Sequence, residues 1–72
     1  MREHLWTLRQ GDARAEAYLM DLGVNGVEIE IIVNKEPVRT DRFTTRELAL
    51  VHAERERAQL HVRFGQGETP RS

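Results

Sequence analysis

The sequence predicts an α+β domain in which an antiparallel four-stranded meander packs on one C-terminal helix. Three observations predict it. Residues Val27 to Val33 alternate β-branched and acidic side chains. Turn chemistry at Gly11-Asp12 and at Asn34 to Pro37 separates segments that also alternate. A long stretch free of glycine and proline then follows a capping signal, "TTRE".

The first strand reads from "HLWTLRQ", with Trp6 and Leu8 on one face and Leu5, Thr7 and Arg9 on the other. The next segment, "DARAEAYLMDLG", admits two readings. As a helix it repeats Ala13, Ala17 and Met20, with Asp12 as N-cap and Gly23 as C-cap. As a strand it separates Ala13, Ala15, Ala17 and Leu19 from Arg14, Glu16, Tyr18, Met20 and Leu22. The strand is preferred, because a Gly-Asp turn then completes a meander and gives Trp6 small alanines to lie over. The third strand is "GVEIEIIV", with Val27, Ile29, Ile31 and Val33 facing a core and Glu28 and Glu30 facing water. Asn34, Lys35, Glu36 and Pro37 turn the chain, and "VRTDRF" returns as the fourth strand. Pro37 cannot donate to a ladder, so it belongs at the turn or at the first position of that strand.

The helix is predicted from about Thr45 to about Phe64. Thr44 and Glu47 form a capping box at its start, and Gly65 stops it. Residues 1–65 make one domain and residues 66–72 a polar, disordered tail. At 100° per residue the apolar side chains of the helix fall into two stripes. Leu48, Val51, Ala58 and Val62 form the stripe expected to rest on the sheet; Ala49, Ala53, Leu60 and Phe64 form the second, with Leu50 beside it. The second stripe is open to cover by the loop between Leu22 and Gly26, by the curl of the sheet, or by another copy of the chain. Leu5, Tyr18, Met20, Leu22 and Ile32 are expected on the sheet face away from the first stripe. Two leftover apolar surfaces favour a homodimer with Ala49, Ala53, Leu60 and Phe64 at its interface.

Size supports that preference. A domain of 72 residues buries only about 60% of the surface its unfolded chain exposes. The chain has no cysteine to staple it, which leaves oligomerisation as a remedy. Eleven basic and twelve acidic residues nearly cancel, and no segment is strongly of one sign. The long-range field of a typical nucleic-acid binder is therefore absent. No apolar run has the length of a membrane span, and "MREHLWTLRQGD" lacks the features of a secretion signal. A cytoplasmic protein without membrane association is expected.

Catalytic chemistry finds little support. The single serine is Ser72, and Thr40, Thr44 and Thr45 sit where a strand gives way to a helix and capping explains at least two of them. His52 and His61 are nine positions apart and project to opposite sides of a helix; His52 and Glu56 share a face but find no third ligand. Glu28, Glu30 and Asp41 read as the wet face of strands rather than as an acid–base pair, and Gly23 and Gly26 have turn spacing with no phosphate cradle. The expectation is a non-enzymatic protein with no cofactor and no metal. The candidate partner-binding surface is Arg39, Arg42 and Arg46, close in sequence on the last strand and the helix start. It suits an acidic protein or intersubunit ion pairs, with nucleic acid as the alternative.

The order "LWTLRQGDARAEAYL", "GVEIEIIVNKEPVRTDRF", "TTRELALVHAERERAQL" resembles short uncharacterised bacterial proteins with a Trp-x-Leu strand start, an acidic turn and a terminal helix. The resemblance spans about residues 4 to 65. It departs from that pattern at the turn, where "NKEP" stands in place of Asn or Asp followed by Gly. It implies four strands followed by one helix and supplies no activity. The function expected from the sequence is that of a small protein-interaction or regulatory module that self-associates. The alternative is a nucleic-acid-binding accessory protein.

Overall fold

The segments that alternate in the sequence pair in register in the structure. A computed structural model describes residues 2–68, with side chains through Val62. Strands β1 (Arg2–Gln10), β2 (Ala13–Asp21), β3 (Val27–Val33) and β4 (Glu36–Phe43) precede helix α1 (Arg46–Glu68). They form one sheet in the order β1-β2-β3-β4, each strand antiparallel to its neighbour. The ambiguous segment is a strand, and the α+β meander with one terminal helix is the fold.

The β1–β2 and β3–β4 hairpins close with two-residue turns. Gly11 takes φ 58° at the first turn position, the requirement of a II′ turn, and glycine meets it without strain. Asn34 and Lys35 take φ 52° and 73°, the pair of left-handed residues that a I′ turn needs. Asn34 tolerates that conformation, whereas Lys35 pays roughly 1–2 kcal/mol for it. The turn is thus Asn34-Lys35 alone. Glu36 opens β4 opposite Val33, and Pro37 is its second residue, opposite Ile32. Between β2 and β3 the chain makes a short 3-10 turn, Gly23–Asn25. Asp21 Oδ1 accepts from the Gly23 N–H at 2.9 Å, and the Leu22 N–H donates to the Gly26 carbonyl at 2.8 Å. Gly26 sits at φ 97°, where a Cβ would also collide with the Phe43 carbonyl oxygen.

Both edge strands are bulged. The β1 register shifts between His4 and Trp6, and the β3–β4 register shifts between Ile31 and Ile32. Bulges and an edge proline discourage pairing with foreign strands. The β1 bulge also corrects the expectation for Leu5. The extra residue turns Leu5 onto the core rather than leaving it on the far face. Tyr18, Met20 and Ile32 remain on the open face, half-buried among charged neighbours.

The core consists of Ala15, Ala17 and Leu19 from β2, Val27, Ile29 and Ile31 from β3, and Ala49, Ala53 and Leu60 from α1, edged by Trp6, Leu8 and Phe43. This exchanges the two helix stripes. Leu48, Val51 and Val62, expected on the sheet, are 53%, 52% and 55% exposed, and Ala49, Ala53 and Leu60 are buried instead. The physical reason is close approach. Trp6 stands opposite Ala17 on the helix side of β1, and its indole N–H donates to the Ala53 carbonyl at 3.1 Å. Only a helix face built of alanines lets the backbone come that near.

The helix ends also differ from expectation. The Leu48 N–H donates to Thr45 Oγ1 at 3.2 Å, so the second threonine caps the helix and the Thr44–Glu47 box does not form. Glycine inside a helix costs only about 1 kcal/mol relative to alanine, and α1 runs through Gly65 to Glu68. Of the tail expected over 66–72, residues 66–68 are helical, and residues 69–72 lie outside those described. Among the described residues, no helix is long and apolar enough to cross a membrane.

Candidate interaction surface

The outward residues of α1 follow the 3-4 spacing of a helical seam. Leu48, Val51, Arg55, Ala58 and Val62 step by three and four along one face. That face points away from the sheet, because the sheet takes Ala49, Ala53 and Leu60. Leu50, Val51, Glu54, Arg55 and Ala58 enclose a shallow apolar hollow midway along it. The Glu54 carboxylate holds the Arg57 guanidinium at 3.1 Å beside the hollow, as i,i+3 spacing allows. An apolar strip of about four turns with a charged border has the anatomy of a contact surface.

The residues named from the sequence are placed differently. Ala49, Ala53 and Leu60 are spent on the chain's own sheet, and the side chain of Phe64 lies outside the described residues. Arg39, Arg42 and Arg46 do not converge. Arg39 pairs in register with Ile31 on the helix side, while Arg42 pairs with Glu28 on the open face. Each also meets an acid. Arg39 Nε lies 2.7 Å from Asp41 and its Nη1 3.3 Å from Glu56, Arg42 lies 3.7 Å from Glu28, and Arg46 forks onto Glu3 at 3.0 and 2.9 Å. The Arg46 hydrogen bonds hold the Glu3 carboxyl below the usual carboxylate range, and Glu3 in turn raises Arg46.

His52 packs beside Phe43 at 4.9 Å between ring centroids, under the Arg39 cluster. Its buried Nε2 is 3.1 Å from Asp41 Oδ2, yet that oxygen lies off the hydrogen-bonding direction of the ring. The distance alone would suggest an ion pair; the misalignment argues for a packed ring instead. Arg39 bridges Asp41 and Glu56, so both carboxylates share one guanidinium partner. Among the described residues, no group of three histidine or acidic side chains is set to hold a metal ion.

Side-chain volume was the signal that could have chosen the outward stripe, since Trp6 needs small residues opposite it. A second grouping that the arginine count misses comes from register. The II′ turn places Arg9 directly opposite Arg14, at the same end of the sheet as Lys35. No family model matches the chain, and no match was found among curated proteins or solved structures. The likeness to the bacterial proteins therefore rests on the order of four strands and a helix.

Proposed function

We propose that the protein is a small non-enzymatic interaction module that associates with a second copy of itself through the outer face of α1. The observation that carries this reading is the exposed strip Leu48, Val51, Ala58 and Val62, half of whose large side chains a monomer leaves in water. A strip of regular 3-4 spacing is self-complementary about a two-fold axis. In an antiparallel pair, Arg55 faces Val51 or Ala58 of the copy, which separates the two guanidiniums and covers aliphatic surface with the arginine stem. Burying each half-exposed leucine or valine returns about 1 kcal/mol, so the equilibrium depends on concentration. The same reading takes the protein to be cytoplasmic and regulatory through its partner-dependent assembly.

Sedimentation across concentration tests it. The mass is expected to approach two chains at high micromolar protein, and Val51→Asp is expected to return it to one chain with the circular dichroism spectrum unchanged. A single-chain mass throughout would overturn the reading.

A further inference from the structure

Four places in the molecule invite a functional reading besides the α1 seam: the Arg39–Asp41–His52–Glu56 cluster, the cleft between β4 and the second half of α1, the bulged edges, and the hairpin end of the sheet. The first three explain themselves. In the cluster Arg39 already bridges both carboxylates, the cleft has an apolar floor that Leu60 and Ile31 share with the core, and the edges are blunted by bulges. The hairpin end does not.

Arg9 and Arg14 are cross-strand partners in the β1–β2 hairpin. Directly opposed residues lie on one face with Cβ atoms about 5 Å apart, and like charges so placed repel. Trp6 and Leu8 point toward α1 opposite Ala17 and Ala15, so both arginines stand on the open face. Asn34 ties the second hairpin to this point: its N–H donates to the Arg14 carbonyl at 2.8 Å, and its Oδ1 accepts from the Arg14 N–H at 2.9 Å. The neighbouring Lys35 is thereby carried to the same end, in a backbone conformation that favours glycine. Arg9, Arg14 and Lys35, together with Gly11, Asp12 and Asn34, surround an open hollow of about 420 Å³.

The charges there are unbalanced. Arg14 Nε reaches Glu16 at 3.5 Å, but among the described residues neither Arg9 nor Lys35 has a carboxylate within ion-pair distance. Arg2, Arg39, Arg42, Arg46 and Arg57 all have one, and Arg55 on the outer face of α1 is the other described arginine without one. An anion bound between Arg9, Arg14 and Lys35 offsets the repulsion that their placement creates.

We infer that the hairpin end binds the phosphate groups of a small oligophosphate compound. Glu16 already pairs with Arg14 and Asp12 also lines the hollow, so the cations exceed the nearby carboxylates by one charge, and geometry rather than charge selects phosphate. A phosphate oxygen set matches the arginine fork and brings two or more negative charges. No residue of α1 lines the hollow, so the site functions in one chain or in a pair.

Titration with inorganic tripolyphosphate, followed by calorimetry and by the unfolding temperature, tests the inference. The wild-type chain is expected to bind saturably and to unfold at higher temperature as ligand is added. Arg9→Gln and Lys35→Gly are each expected to weaken binding about tenfold or more, while the unliganded variants unfold at higher temperature than wild type because repulsion or strain is gone. A merely structural role for these residues would lower that temperature. Val51→Asp is expected to bind as wild type does, which separates this site from the self-association surface. Absence of saturable binding up to about 10 mM ligand, or equal affinity in the variants, would overturn the inference. A single-stranded oligonucleotide that binds more tightly than tripolyphosphate would overturn the assignment to a small ligand.

Discussion

Along α1, the flank with Ala49, Ala53 and Leu60 is buried on the sheet, while the flank with Leu48, Val51 and Val62 stays half in water, although the second carries the bulkier side chains. Apolar volume alone would bury the other flank. What decides is how near the helix backbone can come to β1. Trp6 fills the gap between sheet and helix and reaches the Ala53 carbonyl, and a leucine or valine at position 49 or 53 would hold that carbonyl out of reach. The bulky flank is left free by the same choice.

The comparison breaks most visibly with a charge. Leu60→Asp puts an unpaired carboxylate into the core, at a cost of several kcal/mol, against the roughly 5–15 kcal/mol by which ordinary domains are stable. It is expected to leave the chain largely unfolded by circular dichroism, while Val51→Asp on the outer flank keeps the native spectrum. Equal loss of structure in both would mean that the outer flank is core as well. A milder contrast uses size. Ala53→Leu is expected to lower stability by about 1–3 kcal/mol in urea unfolding through overpacking, and Ala58→Leu to change it by no more than about 0.5 kcal/mol. Trp6→Phe keeps a ring in the gap but removes the indole donor, and about 1 kcal/mol is the expected loss.

Much of this was legible in the residues. The period-two run from Val27 to Val33 fixes β3 and its core face, and Gly11-Asp12 is enough to make β1 and β2 a hairpin. Residues 13–21 required the meander argument, since their alanines fit either period. The two stripes of α1 were visible as well, and side-chain volume, the cue to which of them the sheet takes, acts only through tertiary packing. The choice depends on a tertiary contact between Trp6 and a helix carbonyl 47 residues away. The β1 bulge, which turns Leu5 inward, has no local signature either. The arginines near the helix start looked like one surface because they are close in sequence. Odd and even strand positions send Arg39 and Arg42 to opposite faces, where Arg39 meets Asp41 of its own strand and Arg42 meets Glu28 across the register. Arg9 and Arg14 teach the reverse, because a two-residue turn read from sequence already puts them side by side.

The smallest expected effect lies where the buried flank begins. Arg46, the first residue of α1, forks onto Glu3 of β1, and this hydrogen bonding lowers the Glu3 pKa from its ordinary value of 4.5. A carboxyl lowered on folding stabilises the native state above its unfolded pKa, and that contribution disappears as the pH falls through the lowered value. The pair is half exposed, so the effect is modest and screened by salt. Glu3→Gln is therefore expected to be slightly less stable than wild type in urea at neutral pH and indistinguishable from it once wild-type Glu3 is protonated. If the two curves keep the same separation across that acid range, the clasp contributes nothing through its charge, and the alanine flank with Trp6 alone seats the helix.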